Sequence, residues 1–325
     1  MKFTRRIFAL TAITCAALAA TGAALAQFPE KPMKIVVGAP AGGSADIVAR
    51  TLSEGLAQQL GQSVIVDNKP GGAGMIGLQE VLKAPRDGHT MLVSVNGIIS
   101  EIPHAMKLPV DPMKELRPVA ELARTGLLFV GSPNVPASNL KEAIAYIKAN
   151  PGKVNYASYS PGTLSHTLGL ELNKLAGTDM VHVGYKGSPP ALTDLIGGHV
   201  SFMFDGPATS IPMIKGGKIK VFATTSPTRL SMLPDVPTFA ELGYKDLTET
   251  AWMGLFVTPD VPAAAQARLR EAVMKVLEQP AVRQRFAGMG LDMVPSASAD
   301  ELARSLRAAS DRQAATLKAV GFKPE

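Results

Sequence analysis

A short glycine-containing loop near the N-terminus has the residue types of an anion site. The loop Ala39–Asp46 follows an apolar strand and leads directly into an amphipathic helix, with no Lys or Arg before Arg50. Helix N-termini present unpaired N–H groups and the positive end of the helix dipole, and both favour an anion. A tight turn, with Ser44 or Asp46 as the N-cap, explains the same residues equally well. The candidate residues of this first loop are Ala41, Gly42, Gly43 and Ser44.

A second loop of the same kind occurs far downstream. The strand Val154–Ser158 leads through Tyr159–Thr163 into another amphipathic helix. Ligands in open α/β sheets bind at the carboxyl ends of strands, so two such loops could face each other across a cleft. Each hydrogen bond to a carboxylate contributes roughly 1.5–3 kcal/mol, so about four of them give micromolar or tighter binding after the cost of association. The candidate residues of this second loop are Ser158, Ser160, Gly162 and Thr163.

Three further polar residues lie on the expected side of this cleft. His166, in the first turn of the second helix, could donate to an anion or be a partly buried polar residue. Asp205 ends an apolar strand, where it could order hydroxyl groups, bind a ligand amine or hydroxyl, or cap the helix after Pro207. Asn96 ends the strand Thr90–Val95 and has the same alternatives. All three are included among the candidate ligand-binding residues.

The segment Gly72–Gly77 matches the G-x-G-x-x-G pattern of dinucleotide-binding loops. Asn68–Gly71 separates it from the preceding strand, and the next strand ends in Asn96 instead of an acid that would bind a ribose. We therefore interpret it as a glycine-rich loop without a cofactor. No Gly-Lys-Ser/Thr follows either candidate loop, no G-x-S-x-G occurs, and the histidines lack metal-binding spacing. We expect no catalytic residue, no metal and no cofactor.

Short apolar strands that alternate with amphipathic helices must position these loops. This alternation is typical of an α/β fold with largely parallel sheets. The predicted strands are Lys34–Gly38, Val64–Asp67, Thr90–Val95, Leu127–Gly131, Val154–Ser158, Met180–Tyr185, Val200–Phe204, Lys220–Thr224, Met253–Thr258 and Asp292–Val294. The helices with the clearest 3.6-residue period are Asp46–Leu60, Leu140–Ala149, Leu164–Leu175, Ala263–Leu277 and Ala299–Leu317.

This number of strands exceeds what one compact core accommodates comfortably, although no low-complexity linker divides the chain. Two lobes, each with a mostly parallel sheet flanked by helices, reconcile these observations if hinge strands cross between them near residues 127 and 250. We assign residues 27–127 and 250–325 to lobe 1 and residues 128–249 to lobe 2. Trp252, the only tryptophan, lies beside the second crossing and is expected to pack at the hinge.

The first residues have the organisation of an export signal. Basic residues precede an apolar stretch, and Ala24–Ala26 provides a small-x-small cleavage site. We expect residues 1–26 to be removed, which leaves a periplasmic chain that begins near Gln27. A retained membrane anchor is the alternative, and the adjacent arginines leave both Sec and twin-arginine export open.

Composition excludes several classes of function. The full chain has 33 Lys and Arg against 27 Asp and Glu, and removal of Lys2, Arg5 and Arg6 leaves 30 against 27, a net charge of +3. This small charge, without a Lys/Arg-rich run, is not typical of a protein that binds nucleic acid. The only cysteine, Cys15, lies within the export signal, so the mature chain has no disulfide and no thiolate.

A series of short motifs covers essentially the whole mature chain. They are Phe28–Pro32, Ile35–Val37 with Pro40–Asp46, Asn68–Gly71, Asp87–Thr90, His182–Gly187, Phe204–Asp205 and Leu233–Thr238. In this order the motifs resemble those of the Bug-type receptors, the extracytoplasmic substrate-binding proteins of tripartite tricarboxylate transporters.

The resemblance implies a two-lobed periplasmic binding protein-like fold of type II that closes on a carboxylate and delivers it to membrane permease subunits. It implies a receptor and not an enzyme, with the ligand carboxylate held by Ala41–Ser44 and Ser158–Thr163. Receptors of this kind bind di- and tricarboxylates, acidic amino acids or aromatic acids, and Pro161 departs from the usual second loop. A ligand-presenting sensor subunit and a periplasmic hydrolase or lyase are the alternatives. We expect a monomer, because lobe closure needs free hinge motion.

Overall fold

Two mixed β-sheets form the framework of the protein. The computed structural model describes residues 28–293 and 297–324, and the predicted export signal over residues 1–26 lies outside these ranges. The strands are β1 Met33–Val37, β2 Val64–Asn68, β3 Thr90–Val95, β4 Arg117–Thr125, β5 Leu128–Gly131, β6 Asn155–Ser158, β7 Val181–Gly184, β8 Phe202–Asp205, β9 Lys220–Thr224 and β10 Ala251–Val257. The first sheet has the order β2-β1-β3-β10-β4, and the second has the order β7-β6-β8-β5-β9.

Each sheet has four strands in one direction and a single strand that opposes them. The opposing strand is β10 in the first sheet and β5 in the second. The predicted α/β fold with two mostly parallel sheets is therefore confirmed. The lobe boundaries stay a prediction, because they state which residues move together.

Helices cover both faces of the sheets. They are α1 Ser44–Leu60, α2 Met75–Lys83, α3 Gly97–Ser100, α4 Pro112–Glu115, α5 Leu140–Ala149, α6 Leu164–Ala176, α7 Ser188–Gly197, α8 Pro207–Lys215, α9 Ala263–Leu277, α10 Pro280–Gly288 and α11 Ala299–Ala319. In β1, Ile35 and Val37 pack in one core, whereas Val36 packs in another on the opposite face. Because side chains alternate between the faces of a strand, burial of both faces explains why this strand is a continuous apolar run.

One long strand was missed by the sequence prediction. Strand β4 contains Pro118, Glu121 and Arg124, which interrupt the apolar alternation expected of a strand. Its pairing with β10 nevertheless extends along the edge of the first sheet. The predicted strand at Asp292–Val294 is reduced to a single bridge between Asp292 and Arg124, and Val294 lies outside the described residues.

The chain crosses between the sheets after β4 and again between β9 and β10, and the two crossing segments are hydrogen-bonded to each other. Leu127 donates its N–H to the Thr225 hydroxyl at 2.8 Å, and the N–H of Thr225 donates to the Leu127 carbonyl at 2.8 Å. Gly126 donates to Ser226 at 3.1 Å. The two crossing segments are thus bonded to each other where they pass between the sheets, as expected of a hinge. No helix in the described part of the chain is both long and apolar enough to cross a bilayer.

Candidate functional site

A cavity of about 330 Å³ lies between the two sheets. One side of its wall follows β1 and β3 of the first sheet. The other side follows β6, β7 and β8 of the second sheet. The cavity therefore lies where the carboxyl ends of parallel strands meet, the usual position of a ligand in open α/β sheets.

The first loop contributes part of its candidate residues to this wall. Gly43 and Ser44, at the start of α1, line the cavity, whereas Ala41 and Gly42 are exposed and do not. The N–H of Gly42 donates to the Asp46 carboxylate at 2.9 Å, so it is occupied within the protein. The cavity is therefore lined by the first residues of the loop, Ala39 and Pro40, and by the helix start, whereas Ala41 and Gly42 between them lie outside it.

The second loop also contributes only some of its candidate residues to the wall of the cavity. Ser160 and Thr163 line the cavity, and Thr163 is the residue before α6. Ser158 is fully buried, and its hydroxyl contacts His182 Nε2 at 2.7 Å and donates to the Ser160 carbonyl at 3.1 Å. Gly162 donates its N–H to His166 Nδ1 at 3.0 Å. Ser158 and Gly162 therefore hold the loop in place behind the wall.

Two further helix starts reach the cavity, and their residues were not among the candidate ligand-binding residues. Gly187 and Ser188 begin α7, and Gly206 precedes α8. Ser188 is only 5% exposed. Its hydroxyl lies near the Asp205 carboxylate and opposes the rise in the pKa of that group, but it makes no well-formed hydrogen bond to the residues that the structure describes. A buried hydroxyl without a well-formed hydrogen bond is costly, so a ligand that bonds it would gain free energy. The signal in the sequence was available, since a strand followed by Gly187 and prolines at the helix start repeats the strand-loop-helix pattern.

Four helix N-termini with these loops therefore lie in one wall: α1 on the side of the first sheet, and α6, α7 and α8 on the other. The starts of α2 and the short α3 also reach the wall, at Gly74 and Gly97. Each N-terminus has a partial charge of roughly +0.5. The two sides are close together, because a Cβ atom on Gly206 would come within 2.8 Å of the Ser44 hydroxyl. A Cβ atom on Gly187 would come within 2.8 Å of the Pro40 ring. This arrangement can bind an anion by backbone amides and hydroxyls.

The remainder of the wall is largely apolar. Residues 71–74, three glycines and Ala73, form one part of it and pack against the end of the first strand. A Cβ atom on Gly38 would meet the Gly74 carbonyl at 3.1 Å, and a Cβ atom on Gly77 would meet the Cα atom of Gly38 at 2.8 Å. This close backbone approach is a physical reason for the glycine-rich sequence that requires no nucleotide. The apolar side chains of the wall include Val93, Val95, Ile98, Ile102, Leu127, Leu164 and Met253.

Comparison with known proteins agrees with this geometry. Residues 48–322 match the family model of the Tripartite tricarboxylate transporter family receptor. The chain belongs to this receptor family. A relative, the UPF0065 protein in gbd 5'region of Cupriavidus necator, is 35% identical over 298 residues, which are 89% of this chain and 89% of the relative.

Solved structures place this receptor among periplasmic binding proteins. It is similar to the periplasmic binding protein BugD, with a TM-score of 0.87 and 30% identity over 92% of this chain and 100% of that chain. It is also similar to MatC from Rhodopseudomonas palustris with bound malate, with a TM-score of 0.83 and 31% identity over 89% of this chain and 100% of that chain. The predicted family and the assignment as a receptor and not an enzyme are confirmed.

His166 lies behind the wall of the receptor's cavity. His166 is 2% exposed, and its ring lies 4.0 Å from the ring of His182, tilted by 39°, and contacts Phe322 near the C-terminus. Burial and the neighbouring His182 lower the pKa of His166 to about 3, and burial lowers the pKa of His182 to about 4. His166 is therefore neutral at physiological pH and accepts a hydrogen bond from Gly162 instead of donating into the cavity.

In the folded protein both imidazoles are expected to stay neutral between about pH 8 and pH 5, because burial disfavours the charged form. A histidine in the unfolded chain titrates near 6.5. The unfolded state then binds more protons than the folded state below pH 6.5. The two rings therefore destabilise the folded protein as the pH falls toward about 4 and 3. Imidazole ¹H–¹⁵N correlation spectra at several pH values measure this directly. Protonation of either ring above pH 5 would contradict the buried arrangement.

Asp205 and Asn96 also bond within the protein and do not line the cavity. The buried Asp205 carboxylate accepts hydrogen bonds from the hydroxyls of Tyr159, Thr209 and Ser210. Burial raises the pKa of Asp205, and these hydroxyl donors, together with that of Ser188, oppose the rise. Asn96 Oδ1 accepts a hydrogen bond from the backbone N–H of Trp252 at 3.0 Å, and this bond joins the end of β3 to β10.

Two charged residues of the wall were not among the sequence candidates. Lys186 precedes α7 and is exposed. Glu101 follows α3, is buried, and accepts a hydrogen bond from the N–H of Leu164 at 2.7 Å. Its only signal in the sequence is an acid inside the apolar segment Gly97–Ile102. Among the described residues, no group of His, Cys, Asp or Glu forms a metal site.

Proposed function

We propose that this receptor captures a small carboxylate in the cavity between its lobes and delivers it to the membrane subunits of a tripartite tricarboxylate transporter. The observation that carries this proposal is the meeting of four helix N-termini from both sheets in one wall. Helix N-termini and hydroxyls can bind a carboxylate by hydrogen bonds, and this binding requires no catalytic reaction. The family match and the malate bound to MatC support the same class of ligand.

We infer that the carboxylate binds at the starts of α1 and α7. Gly43 and Ser44 would act from one side and Gly187 and Ser188 from the other, with Ser160 and Thr163 of the second loop beside them. The hydroxyl of Ser188 supports this choice, since its contact with the Asp205 carboxylate is not a well-formed hydrogen bond and a ligand oxygen would improve on it. The predicted residues Asn96, Ser158, Gly162, His166 and Asp205 would then shape the site from behind, and Ala41 and Gly42 would remain outside it.

The compartment and the partners belong to the same proposal. We infer a periplasmic mature chain that begins near Gln27 after removal of residues 1–26, that works as a monomer and that binds no nucleic acid. The similarity to periplasmic binding proteins supports the location. The lobes would comprise residues 27–127 with 250–325, and residues 128–249, hinged at the bonded crossing segments.

A thermal-shift screen of organic acids is the direct test. A ligand that binds only the folded state stabilises it by about 2.7 kcal/mol at a hundredfold excess over Kd, which raises Tm by roughly 5–10 °C. We expect at least one carboxylate to produce such a shift, and mass spectrometry after incubation to recover that acid unchanged. Neutral sugars serve as controls. Stabilisation by sugars or metal ions alone would remove the carboxylate from the proposal, and turnover of the acid would indicate an enzyme.

A further inference from the structure

The carboxyl group of Glu101 reaches from the first sheet to a helix start of the second. Glu101 lies between α3 and the 3₁₀ turn Ile102–His104, and Leu164 is the first residue of α6. Their hydrogen bond of 2.7 Å therefore joins the two sides of the cavity. A Cβ atom on Gly97 would come within 2.4 Å of Glu101 Oε2, so the glycine leaves room for the carboxyl group.

This contact means that the protein's own carboxyl group already occupies one of the four helix starts. The N-terminus of α6 is a favourable position for an anion, and Glu101 takes it from within the chain. Its neighbours in the wall are the apolar side chains of Ile98 and Ile102. At the start of α1 the Asp46 carboxylate bonds Gly42, and at the start of α7 the buried Asp205 carboxylate lies near Ser188. Neither of these acids lines the cavity, whereas Glu101 does.

The charge of Glu101 has little compensation from nearby groups. Burial raises its pKa to about 7, the Leu164 N–H opposes the rise, and Glu249 and Arg312 act on it in opposite directions at longer range. At a pH above 7 the wall therefore contains a buried anion. A second ligand carboxylate brought to the same region would meet like charge in a poorly solvated site, which is strongly unfavourable.

We propose that Glu101 makes this receptor select acids with a single carboxylate and an apolar remainder over dicarboxylates of the same length. The inference rests on the proposed function and deepens it. The ligand carboxylate binds at the starts of α1 and α7, and its uncharged body lies along Val93, Val95, Ile98, Ile102 and Met253. Glu101 thus determines specificity without binding the ligand carboxylate.

Matched pairs of acids test this inference at pH 8, where Glu101 is ionised. Isothermal titration calorimetry would compare hexanoate with adipate, octanoate with suberate, and benzoate with terephthalate on the wild-type protein and on Glu101→Gln. In the pair that binds best, we expect the monocarboxylate to bind about tenfold or more tightly to the wild-type protein. Glu101→Gln keeps an acceptor for Leu164 but removes the charge, so the ratio should fall toward one.

Glu171→Gln is the matched control. Burial also raises the pKa of Glu171 to about 7, but its carboxylate accepts from Thr316 away from the cavity. It should leave the ratio of affinities unchanged. A dicarboxylate that binds the wild-type protein as tightly as its partner, or a ratio unaffected by Glu101→Gln, would overturn the inference while the carboxylate receptor stands. The wild-type ratio decides the matter even if Glu101→Gln does not fold. Absence of binding by every acid would instead overturn the proposed function.

Discussion

Ser44→Trp is expected to abolish carboxylate binding, with an affinity loss of about 100-fold or more and little change in folding. Ser44 begins α1 and lines the cavity. Its hydroxyl lies close to the other side of the cavity, since a Cβ atom on Gly206 would come within 2.8 Å of it. An indole group at this position fills the space for the ligand and prevents the two sides from approaching. At least two hydrogen bonds to the carboxylate are lost, each of roughly 1.5–3 kcal/mol. Titration calorimetry with an acid found in the screen measures the effect.

Ala41→Trp is the matched control for Ser44→Trp. It places the same side chain on the same loop, but Ala41 is exposed and does not line the cavity. We expect near wild-type affinity for this variant and unchanged melting of both ligand-free proteins. Retained affinity in Ser44→Trp would remove the start of α1 from the site, and lost affinity in Ala41→Trp would show that the loop before the helix takes part.

Asp205→Ala is expected to lower the free energy of unfolding by about 3–5 kcal/mol. The substitution removes the shared acceptor of the hydroxyls of Tyr159, Thr209 and Ser210, and of these only Thr209 keeps another acceptor, the Gly206 carbonyl. Each unsatisfied buried group costs roughly 1–3 kcal/mol, and the small cavity adds to this. For a chain of this size, Tm falls by on the order of 10 °C. Urea and thermal unfolding measure the loss.

Asp194→Ala provides the comparison for Asp205→Ala. Asp194 is half-buried and accepts from the Tyr185 hydroxyl at 2.6 Å, so its removal should cost about 1 kcal/mol or less, because water can reach the site. If Asp205→Ala kept wild-type stability but lost carboxylate binding, Asp205 would be a ligand group and not an internal acceptor. That result would restore the direct role that its position after β8 suggests.

Most secondary-structure elements were predictable because their signals are local. The apolar run of β1 and the 3.6-residue period of α9 are properties of consecutive residues, and both elements lie at or within one residue of the predicted bounds. Gly61 ends α1 with φ at +68°, where glycine has no Cβ penalty. Strand β4 was missed because Pro118, Glu121 and Arg124 break the alternation, and pairing with β10 overrides that local signal.

The candidate site was also predictable only in part, where its signals are local in the sequence. The two predicted loops lie against one cavity because a strand followed by a helix brings the N-terminus of the helix to the carboxyl end of the sheet. The sequence could not indicate that Ser44 faces the cavity while Ala41 does not, because this depends on side-chain direction at the turn. It also could not indicate that His166 accepts from Gly162 and packs on His182, which is close in space only through the pairing of β6 with β7.

By itself, the sequence determined the α/β class, the two-lobed family resemblance and the presence of amide-rich helix starts, since composition, periodicity and motif order are properties of the chain alone. Only the tertiary structure decided that four helix starts share one wall and that Glu101 occupies the start of α6. The physical reason is that such contacts join residues far apart in the chain. Their free energy depends on burial and distance, which exist only once the two sheets face each other.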